Sequence, residues 1–160
     1  TIISECEKRK DLAASLAEKK AAHQRKQKDE DEQLYGMHIL LCEDHPLNQE
    51  IAKELLEEKG MIVQIAEDGQ KGLESFSESS VGYFDCILMD VRMPVMNGID
   101  ATRAIRSLSR DDAATVPIIA MTADAFSDDV KKCHDAGMNS HVSKPIEPDV
   151  LYHTLCEQMG

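Results

Sequence analysis

Four short apolar runs recur along the chain, and each ends in a charged or hydroxyl-bearing residue. His38–Cys42 runs into Glu43-Asp44, Cys86–Met89 into Asp90, Val116–Met121 into Thr122, and Ser140–Ser143 into Lys144-Pro145. Runs of this length, separated by segments of helical spacing, predict parallel strands covered by helices on both faces. Ligands on such sheets bind beyond the carboxyl ends of the strands. The pattern therefore gathers three carboxylates, a hydroxyl and an ammonium at one edge. Such a set suits a divalent cation, which prefers oxygen ligands, and a phosphoryl group beside it.

The stretches between these runs carry helix signals. A helix over 46–59 has Pro46 in its first turn and Gly60 at its end. Met61–Ala66 reads as a further strand, and helices are expected over 70–79, 98–109, 127–136 and 148–158. Ser127 is a plausible cap and Gly137 a stop for the fourth of these. Strand three is expected over 84–89. Five strand–helix units without a hairpin signal predict a doubly wound α/β domain with a five-stranded parallel sheet.

That domain is expected over 37–160, behind a helical or partly disordered linker over 1–36. Thr1–Gln33 contains no Gly or Pro and is rich in helix formers, but its apolar period fades after Ala22. A solvated connector is the reading there, with a short coiled coil as the alternative. The net charge of −12 lies wholly outside residues 1–35, which hold eight basic and eight acidic side chains. A strongly acidic domain repels nucleic acid and anionic lipid. No apolar stretch approaches the roughly 18 residues that cross a bilayer. Five cysteines without paired spacing suggest a reducing compartment, the cytoplasm by default, with a membrane-anchored parent left open.

The phrases Cys42-Glu43-Asp44-His45-Pro46-Leu47-Asn48-Gln49, Met89-Asp90-Val91-Arg92-Met93-Pro94, Met121-Thr122-Ala123 and Lys144-Pro145 resemble the receiver domain of two-component response regulators. The resemblance runs from about Met37 to the C-terminus. It implies the flavodoxin-like strand order 2-1-3-4-5 and a cis peptide at Lys144-Pro145. It implies that Asp90 takes a phosphoryl group from phosphohistidine, with Thr122 and Lys144 as the other catalytic residues. Glu43, Asp44, Asp90 and the carbonyl of Arg92 would hold Mg²⁺, with Mn²⁺ as a substitute. Thr122 and His141 take the switch positions, where His141 stands for the more usual Tyr or Phe. Arg92 and Asp124 flank the path of the hydrolytic water and are expected to pair and slow autodephosphorylation.

The implied partners are a histidine kinase or a histidine phosphotransfer protein. A dimer could form through the face of helix 127–136, strand 140–143 and helix 148–158. The parent expected is a hybrid sensor histidine kinase carrying this domain at its C-terminal end, since a helical lead precedes the domain and no output domain follows it. A stand-alone regulator is the nearer alternative. A phosphatase of the haloacid dehalogenase type would want an acid two residues past Asp90, where Arg92 stands. A degenerate receiver, acting only as an interaction module, would lack some of the required side chains.

Overall fold

The computed structural model describes residues 29–123 and 128–159, and the chain divides into two compact units, 1–33 and 34–160. In the first, residues 29–33 are helical. Residues 1–28 of the expected lead, with the coiled-coil alternative, lie outside the described residues, as do Asp124 and Ser127, while 34–36 belong to the second unit.

In the second unit, strands and helices alternate without exception. They are β1 His38–Cys42, α1 Pro46–Glu58, β2 Ile62–Ala66, α2 Gly69–Glu78, β3 Cys86–Asp90, α3 Gly98–Arg106, β4 Ile118–Thr122, α4 Asp128–Ala136, β5 Ser140–Ser143 and α5 Pro148–Met159. All pairings are parallel, in the order β2-β1-β3-β4-β5. The doubly wound sheet and the 2-1-3-4-5 order agree with the sequence reading. No described helix is long and apolar enough to cross a membrane.

The core follows from the two-residue period of strands. Leu40, Cys42, Ile87, Met89, Ile118 and Ala120 face one side, where Phe76 of α2, Ala101 and Ile105 of α3 and Cys133 of α4 pack. Ile39, Leu41, Cys86, Leu88, Ile119 and Met121 face the other, against Ala52 and Leu56 of α1 and Leu151 and Leu155 of α5. Leu34 is fully buried on this second face, and Gly36 N–H donates to Gly60 C=O at 3.0 Å. Each fully buried Leu or Ile contributes roughly 1.5–3 kcal/mol.

Most boundaries differ from the sequence reading by one or two residues, α3 by three, and three of the differences have a clear local reason. β3 extends one residue further and ends at Asp90, because Val91 N–H still reaches Met121 C=O at 3.2 Å. β4 starts at Ile118 rather than Val116, since Pro117 has no N–H to give the ladder. α3 stops at Arg106, where Ser107 N–H is shared between the carbonyls of Arg103 and Ala104.

The loop from Val91 to Asn97 carries the residues that follow Asp90, and it is tightly held. Gly98 N–H donates to Val91 C=O and Gly69 N–H to Met96 C=O, both at 3.0 Å. A Cβ at Gly98 would collide with the Asp90 carbonyl oxygen, and one at Gly69 with that of Met96. Only glycine permits these approaches. At the tip Met96 N–H turns back to Pro94 C=O at 2.7 Å, and Val95 between them sits at φ 67°, its side chain in solvent.

Candidate phosphoryl and metal site

β1 and β3 are neighbours at the centre of the sheet, and the chain leaves them in opposite directions, to β2 and to β4. A crevice opens where the winding reverses, at the carboxyl ends of these strands. Glu43 follows β1 directly, Asp90 ends β3, Thr122 ends β4 and Lys144 follows β5.

Glu43 is buried because it serves the turn into α1. Its Oε1 accepts from His45 N–H at 3.2 Å and Asn48 Nδ2 at 3.5 Å, while Gln49 Nε2 donates to its carbonyl at 2.7 Å. His45 rather than an acid caps α1, its Nδ1 accepting from Leu47 N–H. Oε2 of Glu43 is thus left to point into the crevice, where Lys144 Nζ donates to it at 2.9 Å. The same ammonium donates to Asp90 Oδ2 at 2.9 Å, and Asp90 Oδ1 accepts from Arg92 N–H at 3.2 Å. Asp44 completes the group: carboxylate oxygens of Glu43, Asp44 and Asp90 lie within 4.8 Å of one another.

The electrostatics reflect the crowding. Burial is the main reason the Asp90 carboxyl pKa is pushed up to about 6, with Glu43 adding repulsion and Lys144 and the Arg92 N–H opposing it. Burial works against the Lys144 ammonium, but its bonds to Asp90 and Glu43 outweigh that and raise its pKa. One ammonium serves three carboxylates, so the cluster carries excess negative charge. Hard oxygen donors with a charge deficit of this kind fit a divalent cation.

The remaining expected positions fall around this centre. Thr122 is buried, and Lys144 N–H donates to its carbonyl at 2.8 Å. Lys144-Pro145 is cis, as the resemblance implied. His141 is exposed on β5 and lines a groove with Val130, Cys133, His134 and Met138. The guanidinium of Arg92 lies 3.0 Å from Asp129 Oδ2 in the first turn of α4. Asn48, Gln49 and Asp129 were not anticipated. The first two sit within a turn of Glu43 on α1 and could have been found from that spacing. Asp129 lies 37 residues from Arg92, and no local signal pairs them.

Three clustered carboxylates, an ammonium among them, and a switch-point crevice on a 2-1-3-4-5 sheet define a flavodoxin-like domain with a densely charged edge. Residues 39–155 match the response regulator receiver domain, and the chain belongs to that family. In general terms it is a phosphoacceptor domain of two-component phosphorelay signalling.

The chain is 39% identical over 130 residues to the hybrid signal transduction histidine kinase I of Dictyostelium discoideum, matching 79% of this chain and 7% of that protein. The chain spans from 7% to 14% of the length of eight curated relatives that it matches. Among solved structures, it resembles the receiver domain of a sensor histidine kinase from Pseudomonas aeruginosa, crystallised with a magnesium ion in its active-site cleft. The TM-score is 0.71 at 38% identity, covering 78% of this chain and 98% of that one. It also resembles a chain in the complex of the Saccharomyces cerevisiae histidine phosphotransfer protein Ypd1 with the receiver domain of its downstream response regulator. There the TM-score is 0.68 at 27% identity, covering 78% of this chain and 89% of that one.

Proposed function

We propose that Asp90 is the phosphoacceptor of a phosphorelay that uses a divalent cation. The observation that carries this reading is the placement of Lys144 Nζ at 2.9 Å from both Asp90 and Glu43, with Asp44 within reach of both acids. An Asp90 carboxylate oxygen attacks phosphorus, and a P–O bond forms as the P–N bond of a partner's phosphohistidine breaks. The electron pair of that bond returns to the imidazole nitrogen. Glu43, Asp44, Asp90 and the Arg92 carbonyl are the residues that would hold Mg²⁺, or Mn²⁺ in its place. The bound cation supplies positive charge against the phosphoryl oxygens, which is most of what such a transfer needs. Lys144 keeps its ammonium at the edge of the group as a point charge, and the Thr122 hydroxyl donates to a phosphoryl oxygen.

Autodephosphorylation reverses the attachment with water as nucleophile: its oxygen bonds to phosphorus and the Asp90 carboxylate leaves. Thr122 and His141 carry the change to the face of α4, β5 and α5, which serves a partner or a second copy. The similarity to hybrid histidine kinases supports a parent of that kind, and a histidine phosphotransfer protein or the kinase itself as partner.

Intact-mass spectrometry after incubation with Mg²⁺ and acetyl phosphate tests the central claim. Wild type should gain about 80 Da, one HPO₃, in a base-labile form, and Asp90→Asn should gain nothing. Equal gain in both, or none in wild type that binds Mg²⁺, overturns it.

A further inference from the structure

The side chain of Arg92 reaches away from the carboxylates that its own backbone adjoins. Its guanidinium spans to Asp129 at 3.0 Å and so ties the loop after Asp90 to the first turn of α4. These two residues lie on the wall of a cleft of about 420 Å³ that also takes in Asp44, Met93, Pro94 and Asn97. The cleft thus runs from Asp44, whose carboxylate lies within 4.8 Å of those of Glu43 and Asp90, to the Arg92–Asp129 pair. The pair is unequal: Arg92 is 83% exposed at its side chain, and Asp129 only 25%. The carboxylate is the more enclosed member, and the arginine is the more exposed one.

We infer that Asp129 is a positioning residue for phosphoryl lifetime, holding Arg92 as a strap across the cleft through which hydrolytic water reaches Asp90. The inference rests on the Asp90 reading. Hydrolysis forms a bond from water oxygen to phosphorus and breaks the P–O bond to Asp90. The carboxylate departs with the electron pair, and the water proton passes to solvent. Asp129 touches none of these atoms and acts only through where it keeps Arg92. Released from Asp129, the guanidinium no longer stays over the cleft, and water enters more freely.

The test follows loss of the phosphoryl mass from the full chain loaded with acetyl phosphate. Asp129→Asn should shorten the half-life about two- to five-fold, the range expected of a single ion pair at a protein rim. Arg92→Met should shorten it similarly, and the double variant no further, because both remove one contact. High salt should bring wild type toward Asp129→Asn. The exchange Arg92→Asp with Asp129→Arg should restore most of the lifetime. A merely structural role for Asp129, an acid favoured at a helix N-terminus, predicts the reverse, since arginine there is unfavourable. An unchanged or lengthened half-life in Asp129→Asn, additive single effects, or an exchange worse than either single variant overturns the inference. No mass gain in wild type would instead sink the Asp90 reading itself.

Discussion

Replacing Arg110 with methionine should cost this domain about 3 kcal/mol of stability without touching the phosphoryl site. Arg110 caps the C-terminus of α2 from a distant loop. Its Nη1 donates to the carbonyls of Phe76 at 2.6 Å and Ser79 at 2.9 Å, groups that a helix end leaves without intrahelical partners. Nε and Nη2 hold Asp112 in a two-point pair at 2.6 and 3.0 Å, and the guanidinium lies 4.4 Å above the Phe76 ring. Both charged side chains are only 12% exposed. The pair therefore lies between a surface bridge at about 0–1 kcal/mol and a buried one whose breakage costs about 3–5. The Ser79 carbonyl losing the arginine donor adds about 1 kcal/mol, while Phe76 C=O keeps the Ser79 N–H and hydroxyl as donors. Methionine keeps the apolar stem over Phe76 and isolates the polar loss.

Urea unfolding followed by far-UV circular dichroism measures the difference, and the melting temperature should fall by roughly 10 °C. The pH dependence supplies a second check. Arg110 holds the Asp112 carboxyl below its ordinary range, with Gly82 N–H assisting and burial opposing. A depressed acid contributes stability above its unfolded pKa of about 3.9, and that stability is lost as pH falls through the folded value. The gap between wild type and Arg110→Met should be full at pH 6–7 and shrink below about pH 4. A loss under about 1 kcal/mol at neutral pH would refute the argument that a low-exposure arginine cap outweighs its desolvation.

Other perturbations report on the site. Asp90→Asn should stabilise the metal-free domain by about 1–3 kcal/mol at pH 7, since a carboxyl raised to about 6 is strained when ionised. That gain should fade as pH drops from about 6 toward 4, where wild-type Asp90 becomes neutral, and parallel urea titrations would show it. Lys144→Met removes the ammonium between Glu43 and Asp90 and should lower the melting temperature in chelator, with added Mg²⁺ recovering part of the loss. A variant insensitive to Mg²⁺ would argue against a cation among these acids. Gly98→Ala forces a methyl against the Asp90 carbonyl and should cost about 1–3 kcal/mol by denaturant unfolding.

Strand type was legible because the strands are short runs closed by a polar residue, and β1 and β5 match to the residue, whereas the strand order came from the family resemblance and not from spacing. The acids and Lys144 were legible for the same reason, since strand ends on a parallel sheet converge. Contacts between side chains far apart in sequence were not. The sequence suggested Arg92 with Asp124, a neighbour by motif, whereas the guanidinium lies on Asp129 and Asp124 falls outside the described residues. Arg110 lies just past the helix expected over 98–109, and only the packing of its loop against α2 reveals a helix cap.

Lys144 also orders the site in time. Its ammonium arrives from the last strand, 101 residues after Glu43 and 54 after Asp90. Contacts of such separation form late, because a large loop must close before they return any energy. A chain still emerging from the ribosome can bring its acids together only against their own repulsion, without the ammonium that steadies them. The reactive edge is therefore completed only when the last strand of the sheet is in place, and a domain made short of β5 has no finished place to receive a signal.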